Sequence, residues 1–133
     1  HPAEAARLLH TSTESIESHR IRAAISLAAE FNCIAVLKGA GSIVAFADGE
    51  YCINTTGNPA LANAGQGDVL TGIITALLAQ GLHAGDAALA GVCLHGAAAD
   101  ACVQQTGIMI AHTASEAIIA ARQVLNQWLT SVA

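Results

Sequence analysis

Charge is scarce in this chain. Asp, Glu, Lys and Arg make up 11% of its 133 residues, low for a small domain that solvates its whole surface. The expectation is a chain that buries more than one face, against further sequence or against other subunits as a homo-oligomer. Aromatic residues amount to 3%, so the core cannot be built on large rings. With 53% apolar residues, and with Ala and Gly abundant, closely packed helices and backbone are expected instead. The formal net charge is −5, with no basic run and no alternation of aromatic and basic residues. Nucleic acid is therefore not expected as the main partner.

Other absences narrow the class further. No apolar stretch reaches membrane-spanning length without polar interruption, and no signal peptide is present, so no membrane association is expected. Cys33, Cys52, Cys93 and Cys102 form no C-x-x-C pair. Two fall in expected strands and two in an expected helix, which favours buried reduced thiols and a cytoplasmic setting over disulfides or a zinc site. No internal repeat, linker or low-complexity segment appears. The length bounds one domain or part of one, and the opening His-Pro without Met reads as part of a longer domain.

What is present centres on residues 54–80. Gly57, Asn58, Pro59, Gly65 and Gly67 are turn chemistry. Val69 to Leu78 is apolar almost all round and reads as a buried helix. Gly65-Gln66-Gly67-Asp68 stands between the halves. Glycines that open a helix leave backbone N–H groups unpaired, and the helix dipole adds positive potential, so Gly65, Gln66 and Gly67 form an anion site. Asp68 is the one acid beside it. Taken alone, Asp68 reads equally as a first-turn residue that favours the dipole. Asn63, just before the glycines, can orient a ligand or serve the turn.

Upstream, Pro2 suits the first position of a short helix reaching His10, and Thr11-x-x-Glu14 is a capping box for the next. Ile21, Ala24, Ile25 and Ala28 follow that helix's period, widened by Leu27 and Phe31, with Arg20, Arg22 and Glu30 facing solvent. Cys33–Leu37 is an apolar run of strand length, consistent with a strand covered on both faces, and a helix feeding such a strand indicates an α/β architecture. Residues 42–47 and 50–54 form a hairpin about Asp48-Gly49. Lys38-Gly39-Ala40-Gly41-Ser42 lies where a parallel strand would end, the place where open α/β sheets bind ligands. Its glycines, cation and hydroxyl suit a nucleotide phosphate or ribose; a strand-to-hairpin turn with a solvated lysine is the other reading. It is not a Walker A loop.

Downstream, Gly81 is a natural helix C-cap, Ala84 to Gln105 a second helix closed by Gly107, and Thr113-x-x-Glu116 a capping box for a last helix from Ala114 to about residue 129. Ile118, Ala121, Val124, Leu125 and Trp128 are expected on one face. His95 and Asp100, five apart, suit a structural polar pair or exposure rather than catalysis. His10, His19, His83 and His112 have no ligand-like spacing and read as surface residues, and no metal-ligand set is apparent. His1-Pro2-Ala3-Glu4 can bring an imidazole and a carboxylate to a substrate, or simply start a helix.

His-Pro-x-Glu at 1–4, Val-Leu-Lys-Gly-Ala-Gly-Ser at 36–42, Thr-Gly-Asn-Pro at 56–59 and Gly-Gln-Gly-Asp-Val-Leu-Thr-Gly at 65–72 occur in order. Together they resemble the ADP-dependent NAD(P)H-hydrate dehydratase family, of ribokinase-like fold. Residues 1–133 would be the C-terminal part of that single domain: α/β, a layered sheet with flanking helices. The resemblance implies phosphoryl transfer from ADP (or ATP), with Mg²⁺, to the hydroxyl of hydrated NADH or NADPH (NAD(P)HX), followed by loss of phosphate. It implies Asp68 as catalytic acid or base at the hydrate, His1 and Asn63 as further hydrate contacts, and Gly65, Gln66 and Gly67 as the anion hole. Lys38, Gly39, Ala40, Gly41, Ser42 and Gly67 would bind nucleotide. A fused or partner NAD(P)HX epimerase is also implied. Gln66 and Ser42 stand where the family often has Thr, and Ala64 where a third glycine is common; none removes a needed backbone group. The alternatives are a vitamin-precursor kinase of the same fold, or a non-catalytic nucleotide-binding subunit. Residues 1–133 alone are expected to fold poorly, because the strand at 33–37 would lack a neighbour.

Overall fold

In the computed structural model, which describes residues 1–107, 109–110 and 112–132, the chain forms two units, His1–Asn54 and Thr55–Ala133. The first begins with three helices, α1 Pro2–Leu8, α2 Thr13–Ser18 and α3 Arg20–Glu30. Pro2 opens α1 as expected. The cap of α2 is Ser12, not Thr11: the Ser12 hydroxyl accepts from the Ser15 N–H. His19 then breaks the helical path, so the single helix expected here is two.

That break rotates the buried face of α3. Ala23, Ala24, Leu27 and Ala28 are buried, whereas Ile21 and Phe31 are 37% and 47% exposed. The apolar period was legible, but small alanines rather than the larger Ile21 and Phe31 meet the sheet. They allow a close approach to β1 Ala35–Leu37 and β2 Ile43–Ala45. With β3 Tyr51–Ile53 these strands form an antiparallel meander in the order β1-β2-β3. Val36 pairs with Val44, and Val44 with Cys52. β1 is therefore antiparallel to β2, and among the described strands it has no parallel neighbour. Asp48-Gly49 makes the hairpin turn as expected: Gly49 has φ +94° and the Asp48 carboxylate accepts from the Glu50 N–H. β2 is buried throughout and β3 exposed throughout. Cys33 and Cys52 are accordingly exposed rather than buried, and all four cysteines are free thiols.

The second unit is helical. A single 3-10 turn, Pro59–Leu61, precedes α4 Gln66–Ala79, α5 Ala84–Thr106 and α6 Ala114–Val132. Gly81 ends α4 in the expected way: its N–H donates to the Leu78 carbonyl and that of Leu82 to Leu77, a Schellman closure with Gly81 at φ +94°. α5 is the central element. It crosses α4 at Gly91, where an added Cβ would lie 2.5 Å from Ile74, and it packs on α6 through Leu94, Ala98, Ala120, Ala121 and Val124. By length and composition α5 could span a membrane, yet half of that window is buried within the protein.

Two expectations fail here. α4 was expected to be buried all round, but Val69, Leu70 and Leu77 are buried while Leu78 is 42% exposed. On α6 the buried stripe is Ala117, Ala120, Ala121 and Val124, with Ile118 and Trp128 exposed. α6 packs by its small-residue side within this unit and leaves larger apolar residues outside, whereas α4 buries one face of large residues and leaves Leu78 on the other.

Candidate active site

The helix start at Gly65 follows from backbone constraint. Gly65 is the N-cap of α4 at φ +85°, a left-handed conformation that favours glycine. No side chain caps the helix there, so the first-turn N–H groups remain available to an outside acceptor. An added Cβ on Gly65 would also lie 3.1 Å from that of Ala114. Asp68 sits in the first turn, exposed, with no hydrogen-bond partner among the described residues. The site thus has positive backbone ends, one free carboxylate and open access.

The Thr56–Asn58 loop is anchored on α5. Thr56 Oγ1 donates to the Cys93 carbonyl over 2.9 Å. The Gly57 N–H and Asn58 Nδ2 donate to the two carboxylate oxygens of Asp100, each over 2.8 Å. Gly96 lets the loop lie flat on the helix: an added Cβ would come within 2.7 Å of the Thr56 carbonyl oxygen. Asn58 in turn caps the 3-10 turn, accepting from the Ala60 N–H.

From that turn a row of polar side chains reaches the anion site. Asn63 Nδ2 donates to the Ala60 carbonyl and to the His112 carbonyl. Gln66 Nε2 donates to Asn63 Oδ1 over 3.2 Å, and His95 Nε2 lies 3.0 Å from Gln66 Oε1. Asn63 therefore sits in the loop with both amide atoms engaged by protein. Gln66 contributes its backbone at the anion site while its side chain, 5% exposed, points to His95.

In the first unit, Lys38–Ser42 is a tight loop. Ser42 Oγ accepts from the Gly39 N–H and donates to the Gly39 carbonyl. Gly39 and Gly41 have φ +153° and +66°. Arg20 fastens the loop: Nη1 donates to the Ala40 carbonyl over 2.5 Å, and Nη2 to those of Gly41 and Leu37 over 3.1 and 3.4 Å. Lys38 is half-buried. His1 caps α1, its Nδ1 accepting from the Ala3 N–H, while Glu4 closes a capping box.

Several of these residues were misjudged from the sequence. Arg20 does not face solvent. Its signal was position: a cation in the first turn of a helix opposes the dipole and so needs another anchor. His95 and Asp100 do have a structural polar role, one of the two readings, but as separate anchors for two loops and not as a pair; the clue was polar groups embedded in an Ala/Gly face, which must find partners when buried. His112, expected at the surface, is 7% exposed, its Nε2 without a partner among the described residues. Burial, then Glu116, pushes the Cys102 thiol up, away from reactivity. Among the described residues no group of three or more His, Cys, Asp or Glu is placed to hold a metal ion.

Comparison with known proteins matches this arrangement to one family. The family model for NAD(P)H-hydrate dehydratase matches residues 1–120. The chain is 47% identical over 127 residues to the ADP-dependent (S)-NAD(P)H-hydrate dehydratase of Neisseria meningitidis, covering 96% of this chain and 43% of that protein. It is 50% identical over 107 residues to the bifunctional NAD(P)H-hydrate repair enzyme of Moorella thermoacetica, covering 80% of this chain and 20% of that one. Among solved structures, the ADP/ATP-dependent NAD(P)H-hydrate dehydratase of Bacillus subtilis, co-crystallised with ATP/Mg²⁺, superposes with a TM-score of 0.89 at 33% identity. That match covers 96% of this chain and 46% of the Bacillus chain. The chain thus spans less than half the length of these relatives, and its α/β elements are part of their ribokinase-like fold. On the match over residues 1–120, this chain belongs to the NAD(P)H-hydrate dehydratase family.

Proposed function

We propose that the protein carrying this chain restores hydrated NADH or NADPH by phosphoryl transfer from ADP or ATP. The observation that carries the reading is the uncapped start of α4 at Gly65 with the unpartnered carboxylate of Asp68 in its first turn. The hydrate hydroxyl oxygen attacks the terminal phosphorus, its bond to the nucleotide oxygen breaks, and Asp68 accepts the hydroxyl proton. The N–H groups at Gly65, Gln66 and Gly67 hold the transferring phosphoryl oxygens, so positioning and charge neutralisation supply most of the rate. Phosphate then leaves the new ester with the carbon–oxygen bonding pair, and loss of a ring proton to water restores the double bond. The water of hydration departs as an oxygen of inorganic phosphate.

The Lys38–Ser42 loop is the nucleotide contact in this reading, supported by its positive-φ glycines and the half-buried Lys38. His1 is a hydrate contact. Asn63 serves the hydrate site through the loop that its amide holds. Mg²⁺, when bound, would neutralise phosphate charge. With no protein donor cluster among the described residues, nucleotide oxygens and water would supply most of its ligands, with Asp68 the one acid in the first turn of α4.

Cytoplasmic location belongs to the same reading, supported by four free thiols. So does assembly as a homo-oligomer, supported by exposed Ile118, Ile119 and Leu129 on α6. A fused or partner epimerase is supported by relatives named as bifunctional. The test is to give the intact protein NADHX, ADP and Mg²⁺ and follow the absorbance of reduced nicotinamide. Nucleotide-dependent recovery is expected. ADP binding without recovery would overturn the reading, and accumulation of a phosphorylated alcohol would replace it with a kinase.

A further inference from the structure

The polar row behind the anion site has a fixed polarity. Backbone carbonyls only accept, so the Asn63 amide must turn Nδ2 toward Ala60 and His112. That leaves Oδ1 facing Gln66, which must then present Nε2 to it and turn Oε1 toward His95. An amide oxygen cannot donate, so His95 must carry its proton on Nε2. Two carbonyls in the loops thereby dictate the tautomer of a histidine on α5, through two intervening amides. Each member follows from its neighbour, and no alternative flip satisfies the row.

This row is the side-chain tie between the anion-site loop and the central helix. Gln66 lies between Gly65 and Gly67, the two residues with least backbone restraint in the site, and its side chain is buried away from solvent. His95 is itself 7% exposed, beside Gly96, where the Thr56 loop rests. We propose that His95 is a positioning residue for the phosphoryl-binding N–H groups at 65–67, acting through Gln66 and held in the Nε2–H tautomer by Asn63. It touches neither substrate nor nucleotide. It fixes where the donors point, and misplacement on the ångström scale is costly in such a site.

The inference rests on the reading of Gly65–Asp68 as a phosphoryl site, and the test separates the two. In the intact protein, His95→Leu removes the donor, while His95→Gln returns an N–H near the Nε2 position. His95→Leu is expected to lower kcat by about tenfold to a hundredfold with the nucleotide KM little changed, and His95→Gln to recover most of the loss although both lower the melting temperature. Equal kcat in His95→Leu and wild type, per folded enzyme, would overturn the proposal; so would equal loss in both variants. Two measurements on the protein need no turnover. Nitrogen-15 correlation of the wild-type imidazole should show the Nε2–H tautomer, and Nδ1–H would overturn the row. Hydrogen exchange at Val69, whose N–H donates to the Gly65 carbonyl over 3.1 Å, should quicken in His95→Leu and return toward wild type in His95→Gln; unchanged exchange would overturn the positioning role even if the protein proved to have another activity.

Discussion

The two glycine loops are held in opposite ways. Lys38–Ser42 is fastened by one charged side chain from another element, Arg20, donating to three carbonyls within the segment Leu37–Gly41. Gly65–Asp68 is fastened by an uncharged relay in which each amide both gives and takes a hydrogen bond before His95 anchors it to α5. The guanidinium engages carbonyl oxygens, so it adds positive charge to a loop that already carries Lys38. The relay adds no formal charge beside Asp68. A loop that binds a standing phosphate chain tolerates permanent charge. A loop where charge moves during reaction is better served by neutral, directional restraint.

The comparison predicts that damage to the second loop is felt in turnover and damage to the first in binding. Asp68→Asn should have the largest effect. It keeps size and polarity but removes the proposed proton acceptor, and kcat should fall by about 10²–10⁴-fold while nucleotide binding persists. Calorimetric titration with ADP beside steady-state assay separates the two; a parallel loss of both would break the division of labour.

Gly96→Ala comes next. Its Cβ would lie 2.2 Å from Thr56 Oγ1 and 2.7 Å from the Thr56 carbonyl oxygen, and backbone cannot rotate aside as a side chain can. A loss of about 1–3 kcal/mol is expected from overpacking, read in urea unfolding. Gly81→Ala, which meets no atom within 4 Å, separates packing from backbone strain: it should cost only its left-handed φ, about 1–2 kcal/mol. Equal unfolding midpoints for wild type and Gly96→Ala would mean the Thr56 loop is not seated on α5.

Arg20→Lys tests the other loop. Lysine keeps the charge but loses the planar fork that spans several carbonyls. Nucleotide KM should rise about tenfold, equivalent to one lost charge-assisted hydrogen bond, with kcat within a factor of about two. A fall in kcat at constant KM would erase the contrast between the loops.

How far the sequence reached these loops differs between them. Both glycine runs were legible, because positive φ has few chemical solutions and Gly39, Gly41 and Gly65 supply it. The capping box at Thr113–Glu116 and the hairpin at Asp48-Gly49 were legible for the same reason: local geometry demands particular residues. The restraints were not. Arg20 lies 20 residues from Ala40 and His95 29 from Gln66, and no local pattern encodes which distant carbonyl or amide a side chain meets. The buried stripes of α3 and α6 were legible in Ala24, Leu27, Ala28, Ala121 and Val124 but not in their larger members, because alanine, weak in any hydropathy pattern, is the residue that lets backbones approach. Ala24 and Ala28 are fully buried while the larger Phe31 is not. The antiparallel sense of β1 against β2 was not drawn from the sequence, although the chain between strands decides it: only five residues, 38–42, separate β1 and β2, enough for a turn but not for a crossover.

The smallest effect should come from a feature outside both loops, and it serves as their control. Glu116 sits 58% exposed at the start of α6, and the Thr113 N–H, then the Thr113 hydroxyl, hold its carboxyl below the ordinary 4.5. A carboxyl lowered by folding binds its proton more weakly in the native state than in the unfolded chain. Its contribution is therefore complete above pH 4.5 and fades as pH falls through the lowered value. Glu116→Gln should lower the melting temperature slightly at pH 7, and the gap to wild type should close on acidification below 4.5. The glutamine can still accept from Thr113, so the difference isolates charge from hydrogen bonding. Because Ala114, next to that cap, packs against Gly65, the same variant reports whether the α6 N-terminus braces the anion site. A change in kcat out of proportion to the small change in melting temperature would mean that it does, and that the neutral relay through Gln66 is not the only restraint on the reacting loop.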